Sequence, residues 1–444
     1  MRIHTTIPHD ATSIETTTAL KALLAISPAI TTTPFDPEPA PLTTPLRRAL
    51  ATALAALPPS TLASLPPIPA LISSFPRTYT LYPPLLLLPA LPPPWSALLT
   101  THTSPLTPLW THLATALHCT HIALNAPIPA SHAPHSVHAR DAHNLLRSPA
   151  HLVPVHGDFG PGVTAARLLE PSGRDFEEAF WVQVVQRGVV QVWAPRWTMF
   201  SRGNVGEKGR VLGTPDTNAA PAAVAPPPPV SAAVDLYAGI GYFAFSYRRA
   251  IAPLVLGWEI NPWSIEALRR GAAANNWRVW TAWAEDVWPT TTTTTTPTPP
   301  AHDFWLFAAP NETAPAILSA LGPRLAVRHV NLGLLPLSRA SWPAAVGALN
   351  AREGGWVHAH ENVGEGEMGP RRGEVEGVFQ RLVDGRWGGG RRVRVVHVQR
   401  VKMYAPGVVH AVFDVWVPGA GVGEEEVRGG VESGCNGVKE RRQN

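Results

Sequence analysis

Between residues 232 and 360 the chain alternates short apolar runs with longer amphipathic stretches. Ala232-Ala233-Val234 leads to Asp235, and Leu254-Val255-Leu256 leads to Gly257-Trp258-Glu259. Continuous apolar runs of this length predict buried strands, and 3.6-residue spacing predicts helices. The pattern gives strands at 232–236, 254–258, 278–283 and 303–308, one ending at 331, and one at 355–360. Helices are predicted at 242–250, 262–274, 313–320 and 342–350. Strict β/α alternation predicts a doubly wound, mostly parallel sheet with helices on both faces. Two long runs at 393–402 and 408–417, joined through Met403-Tyr404-Ala405-Pro406-Gly407, predict an antiparallel edge hairpin.

Upstream the pattern is of another kind. Residues 180–186 and 189–193 alternate around Arg187-Gly188, which predicts a β-hairpin. FPRTYTLYPPLLLLP, from Phe75, reads as a strand pair or extended segment, with a helix at 110–119 and a strand at 121–124 after it. Short helices are expected at 18–26 and 45–57, separated by proline breaks. The resulting division is a Pro/Ala/Thr-rich region 1–74, an α+β domain 75–211, a linker 212–231, an α/β domain 232–417 and a disordered tail 418–444. Thr290–Pro300 reads as a low-complexity loop insertion.

Composition changes this picture little. Charged residues are only 15% of the chain, and a net charge of +4 permits a nucleic-acid partner without requiring one. Much of the positive charge comes late, in Arg371, Arg372, Arg381, Arg386, Arg391, Arg392, Arg394, Arg400 and Lys402. Two cysteines, Cys119 and Cys435, make neither a disulfide framework nor a zinc site, which suggests a reducing compartment. The start lacks an apolar signal-peptide core, and the run Leu85–Leu91 is too short to span a membrane, so a cytoplasmic protein is expected. His132, His135, His138 and His143 are irregularly spaced and read as a solvated loop; no metal is expected.

The candidate chemistry begins at Asp235 and Tyr237-Ala238-Gly239-Ile240-Gly241, a glycine turn between a strand and a helix. Glu259 lies 24 residues after Asp235 at the tip of the next strand, where a carboxylate can accept ribose hydroxyls. A dinucleotide site wants a third glycine, but Ala244 occupies that position. The shortened motif, preceded by an acid, suits S-adenosylmethionine better than NAD. On the motif alone, a tight turn in some other α/β protein remains open. The span from Arg196 through Arg202 and Lys208 to Arg210 is basic, and reads equally as an exposed helix start or an anion contact.

Several separated strings resemble the tRNA wybutosine-synthesising protein 2 family in its fungal form. They are NLLRSP (144–149), HGDFGP (156–161), WAPRWTMFSRGNVGEK (193–208), VDLYAGIGYF (234–243), WEINPWSIEALRR (258–270), RHVNLGLLPLS (328–338), GGWVHAHENV (354–363) and VKMYAPGVVHAVFDV (401–415). The resemblance implies a Rossmann-like class I methyltransferase fold, preceded by a smaller α+β region and related to the tRNA guanosine-37 N1-methyltransferases. It implies transfer of the 3-amino-3-carboxypropyl group of S-adenosylmethionine to C7 of 4-demethylwyosine in tRNA(Phe), with the anticodon stem-loop as partner and a monomeric enzyme. It further implies cofactor contacts at Ser201, Lys208, Asp235, Tyr237, Gly239, Gly241, Glu259, Ile260, Asn261 and Asp286. Asn331, Pro336 and His360 become candidates beside the reacting carbon, and Arg196, Arg202, Asn204 and Arg210 candidates for tRNA. The family's Gly-Asp-Asn reads Glu285-Asp286-Val287 here, which weakens the match at the adenine. The long NLGLLP loop marks the carboxypropyl branch; a guanosine-37 methyltransferase and an inactive tRNA-binding protein are the rival readings.

Overall fold

Apolar runs that carry hydrogen-bonding backbone must pair, and among the described residues pairing joins them into three sheets. The structure is a computed structural model that describes residues 44–101, 106–125, 146–149, 152–213, 230–283, 302–322 and 325–420. The predicted helix at 18–26, the histidines at 132–143, most of the linker, Asp286, the insertion at 290–300 and the tail from 421 lie outside the described residues.

Strands β1 (Thr80–Tyr82), β2 (Leu85–Pro89), β3 (His121–Asn125) and β4 (Val153–His156) form a mixed sheet in that order. Leu86, Leu88 and Ile122 pack against Leu46, Leu50 and Leu54 of helix Pro45–Ala55 and against Trp95 and Trp110. The Arg47 guanidinium, buried in the same core, donates to the carbonyls of Ser73 and Phe75, both at 3.0 Å. Residues 45–74 therefore share one core with residues 75–124, and no packing boundary falls at 74.

Strands β5 (Val182–Gln186) and β6 (Val189–Trp193) form the expected hairpin, with Arg187 and Gly188 both at positive φ (54° and 75°). Two such residues match the turn to the right-handed twist of the strands. The hairpin is stapled to helix Pro262–Ala274: Asn275 accepts from Val190 N–H at 3.0 Å and donates to its carbonyl at 2.7 Å. Close by, Trp197 stacks on Trp263 at 4.1 Å and 2°.

The large sheet comprises β7 (Val230–Asp235), β8 (Leu254–Trp258), β9 (Val279–Trp283), β10 (Phe304–Ala308), β11 (Leu325–Leu332), β12 (Gly354–Gly364), β13 (Arg394–Ala405) and β14 (Val408–Pro418). Its order is β13-β14-β12-β11-β7-β8-β10-β9, parallel except where β14 runs antiparallel to β12 and β13. The chain leaves β7 toward β8 on one side and returns to β11 on the other. Loops at their carboxyl ends diverge there and open a crevice, the usual ligand position in such sheets.

Two features depart from expectation. Simple succession would put β9 beside β8, but β10 occupies that place and β9 is pushed to the edge. The loop at 309–313 after β10 is thus the neighbour of the Glu259 loop, as the bond from Glu259 N–H to the Phe307 carbonyl (3.1 Å) shows. The second is a 20-residue helix, Met368–Trp387, which the hydrophobic pattern does not predict. Gly369, Gly373, Gly377 and Gly385 obscure it, since each costs about 1 kcal/mol of helix propensity. Tertiary packing overrides that cost: Val375, Phe379 and Val383 form a buried stripe, and Phe379 stacks on Trp342 at 4.6 Å. Among the described residues, no helix is long and apolar enough to cross a membrane and no cluster of metal-ligating side chains is found.

Two substitutions in this one helix should have opposite signs. Phe379→Ala should cost about 3–5 kcal/mol, read as a lower denaturant midpoint. Gly373→Ala, where an added Cβ meets nothing within 4 Å, should stabilise by roughly 0.5–1 kcal/mol.

Candidate active site

Asp235 ends β7 and, with its side chain inside the protein, would lose hydration unless bonded. Its Oδ1 accepts from Tyr237 N–H at 3.2 Å and from Asn331 Nδ2 at 3.1 Å, across the β7–β11 register that sets the two residues side by side. Its Oδ2 and the Asn331 Oδ1 are buried without a well-formed hydrogen bond, the Ala244 N–H being the remaining donor near the carboxylate. Burial raises the Asp235 pKa to about 6, against the lowering effect of these bonds. Two under-bonded acceptors at adjacent strand ends fit a site built to receive donors, such as the ammonium of an amino-acid ligand.

Gly239 and Gly241 both have positive φ, 54° and 90°. A Cβ on Gly241 would fall 2.6 Å from the Phe245 ring, so this glycine is required by the turn's own packing. Tyr242, which the sequence did not single out, ties two segments together. Its hydroxyl donates to the Met199 carbonyl and accepts from Ser201 N–H (3.0 Å).

Glu259 comes directly after β8 and accepts from the N–H groups of Gly239 (2.8 Å), Ile260 (2.9 Å) and Asn261 (2.7 Å). Burial pushes its pKa up while these three bonds hold it down. A carboxylate has about four acceptor positions, so room remains for one strong further bond rather than two unencumbered ones. Asn261 caps the next helix through Trp263 N–H (2.9 Å) and reaches the Leu146 carbonyl at 3.0 Å. Ile260 is 42% exposed at this rim. Asn311, in the loop after β10, donates to the Leu236 carbonyl and to Ser341 Oγ, both at 3.2 Å; Tyr237 shares that hydroxyl at 2.6 Å. Only the strand order brings Asn311 here.

After β11 the NLGLLP loop is held from two sides. Arg147 donates to the Leu335 carbonyl, and the carbonyl of Pro336, itself exposed, accepts from Asn362 N–H at 2.9 Å. His360 is fully enclosed: its Nδ1 lies 3.0 Å from His410 Nε2, and Phe243 packs edge-on at 5.0 Å. Burial and the second imidazole hold its pKa well below the usual range, so His360 is neutral.

Of the basic span, Lys208 is buried, donating to Gln186 Oε1 (3.0 Å) and Gln191 Oε1 (2.7 Å) beneath the rings of Phe200 and Tyr242. Burial brings its pKa down to about 7. Ser201 Oγ accepts from Lys402 of β13 at 3.2 Å. Arg196 donates to the carbonyls of Gly160 and Pro161, at 2.7 and 2.8 Å. Arg210 bridges Glu207 (2.6 Å) and Asp414 (2.7 Å). These two arginines have internal partners, whereas Arg202 is exposed and bonds Thr80 Oγ1 at 3.2 Å. Asn204 Oδ1 is buried without a partner.

Asp414 also accepts from His358 at 2.7 Å, and His358 meets His329 at 3.2 Å. Residues 204 positions apart in the chain make this cluster, and no local pattern announces it. Removing Arg210 leaves two buried carboxylates facing each other, so Arg210→Ala should cost about 3–5 kcal/mol near neutral pH. Asp414 is held well below the usual carboxylate range by His358 and Arg210 despite its burial. Its contribution is present above the unfolded carboxylate pKa near 4 and is lost as pH falls below it. The penalty of Arg210→Ala should therefore shrink in acid, as paired denaturation curves at pH 7 and pH 3.5 would measure.

The sheet order, edge hairpin and carboxyl-end site define the class I methyltransferase fold. No protein-family model matches the chain. The tRNA wybutosine-synthesizing protein 2 of Schizosaccharomyces pombe is 35% identical over 295 residues, 66% of this chain and 60% of that protein. Its Saccharomyces cerevisiae namesake is 32% identical over 321 residues, 67% of this chain and 59% of that protein. The chain thus spans about three-fifths of the length of these curated relatives. Pyrococcus horikoshii TYW2, solved in complex with MeSAdo, shares the fold with a TM-score of 0.51 at 17% identity, covering 84% of this chain and 99% of that one. The chain belongs to the tRNA wybutosine-synthesizing protein 2 family.

Proposed function

We propose that this protein transfers the 3-amino-3-carboxypropyl group of S-adenosylmethionine to C7 of 4-demethylwyosine at position 37 of tRNA(Phe). The observation that carries the proposal is the pairing of under-bonded Asp235 Oδ2 and Asn331 Oδ1 at the strand switch point, in a chain of this family. In this reading Glu259 takes a ribose hydroxyl, and Ile260, with Asn311 nearby, borders the adenine. Tyr237, Gly239, Gly241 and Asn261 shape the turn around the cofactor. Lys208 and Ser201 face the carboxylate of the amino-acid end, and Asp235 its ammonium. Lys208 has three donors and two internal acceptors, which leaves one N–H for that carboxylate. Asp286 stays a sequence-based candidate for the adenine.

The reaction joins C7 of the base to the methylene carbon bound to sulfur. The C–S bond breaks, its electron pair stays on sulfur, methylthioadenosine leaves, and C7 then loses its proton. Three carbons on the sulfonium are electrophilic, so orientation decides which one reacts. Asn331 and Pro336 set that orientation from the NLGLLP loop, with His360 on the neighbouring strand β12. The segment 45–211 acts as the tRNA-side unit and 232–417 as the catalytic one, joined by the linker. Arg202 and Asn204 are offered to tRNA, and Arg196 and Arg210 order the surface that carries them. The tRNA enters by its anticodon stem-loop and the enzyme works as a monomer in the cytoplasm.

Incubation with S-adenosylmethionine and tRNA(Phe) bearing 4-demethylwyosine should release methylthioadenosine and raise the base mass by one aminocarboxypropyl unit. Release of S-adenosylhomocysteine with a methylated base would defeat the proposal.

Cofactor binding should also carry a pH signature. Asp235 picks up a proton as pH falls through about 6, and Lys208 loses one as pH rises through about 7. Affinity for S-adenosylmethionine should peak between these values. At pH 8 binding should take up a proton, because the ligand carboxylate restores the charged lysine. Calorimetry in two buffers of different ionisation enthalpy measures this uptake; identical heats at pH 8 would dismiss Lys208 as the carboxylate partner.

A further inference from the structure

The late run of cations is not absorbed by the site, and the fold puts it on the outer edge of the large sheet. Among the described residues β13 is the terminal strand, paired only with β14. From Arg391 to Gly407 the chain carries Arg391, Arg392, Arg394, Arg400 and Lys402 and no acid. A free edge ordinarily invites another strand. This one is disrupted three times: the register to β14 shifts between Val395 and His397, Arg400 and Lys402, and Met403 and Ala405. Val396, Val401 and Tyr404 are the residues left without a counterpart. Bulges bend an edge away from further pairing and re-aim side chains, so this edge offers side chains rather than a ladder of backbone groups.

What it offers is cationic on both faces: the register puts Arg394 and Lys402 on one face and Arg400 and Met403 on the other. Arg392, Arg394, His397, Arg400, Met403 and Tyr404 are exposed, Met403 at 46% and Tyr404 at 55%. Among the described residues neither Arg392 nor Arg394 has an ion-pair partner, while Arg400 shares Glu365 at 2.7 Å. From Arg394 to Tyr404 the strand covers roughly 30 Å at about 3.3 Å per residue. Its far end meets the candidate site: Lys402 donates to Ser201 and lies against Gly203. Cations along the length, with an exposed aromatic ring at the site end, suit a polyanion that terminates in an unpaired base. Stems are held through phosphates, and unstacked bases are held on aromatic faces.

We infer that the bulged outer edge of β13 is an RNA-docking rail, with Arg392 and Arg394 on stem phosphates and Tyr404 stacked on a base beside the modified one. The inference deepens the tRNA reading above and rests on it.

The test uses the full chain and titrates tRNA(Phe) binding against salt for the wild type, the Arg392→Ala/Arg394→Ala double variant, Tyr404→Ala and Tyr404→Phe. Each phosphate contact contributes roughly 0.7–0.9 to the slope of log K against log salt, so the double variant should lose about 1.5 from it. Tyr404→Ala should weaken binding about fivefold to a hundredfold, and Tyr404→Phe should retain it. S-adenosylmethionine binding should stay at the wild-type value in all of them, which separates docking from misfolding. An unchanged salt slope in the double variant, with wild-type tRNA binding intact, overturns the rail alone. A wild-type chain that binds S-adenosylmethionine but no tRNA overturns both the rail and the reading beneath it.

Discussion

Charge removed from water must be answered by opposite charge or hydrogen bonds, and the site region of this protein is arranged around that requirement. Arg210 lies between Glu207 and Asp414, which are 2% and 6% exposed at the side chain. The triad fastens the helix that carries Lys208 to the edge hairpin of the large sheet. Lys208 on that helix is held in turn by Gln186 and Gln191 beneath Phe200 and Tyr242. The Tyr242 hydroxyl makes a second tie, holding residues 199–201 to the glycine turn. Both ties join segments distant in sequence, and both are polar. They therefore define one arrangement of those segments, which apolar packing alone would leave more permissive.

The crevice itself is a consequence of strand order. β7 and β11 are parallel neighbours in a register that sets Asp235 beside Asn331. The opposite side of the crevice is bounded by β8 and, because β9 is displaced, by the loop after β10. Asn311 thereby joins Ser341 and Tyr237 in one polar cluster. The histidines contribute in another way. His329, His358, His360 and His410 meet in pairs in the interior, where desolvation keeps His329, His360 and His410 below their ordinary pKa. His329, His360 and His410 serve as neutral hydrogen-bonding groups in that interior, whereas His358 pairs with the Asp414 carboxylate.

Much of this was legible from one sequence. Strand 254–258 and helix 262–274 were read to the residue, because continuous apolar strands and an Asn-Pro helix start are local signals. The β5–β6 hairpin was legible because alternation and an Arg-Gly turn fall within one short stretch, 182–193. The helix Met368–Trp387 was not, since its glycines argue against helix and only contact with Trp342 answers them. The helix at 45–57 was read, but proline breaks hid the short helices 59–63 and 68–74, and the shared core with β2 and β3 rests on long-range contacts.

The sequence by itself determined the alternating α/β class, the acid–glycine turn–acid spacing from Asp235 to Glu259, and the family resemblance, because each rests on residues close together in the chain. Tertiary structure alone decided which loop borders Glu259, which cations are buried and which are exposed, and that Arg210 secures a buried carboxylate pair. Those depend on strand order and burial, which arise from contacts between residues far apart in the chain, and no local spacing encodes them.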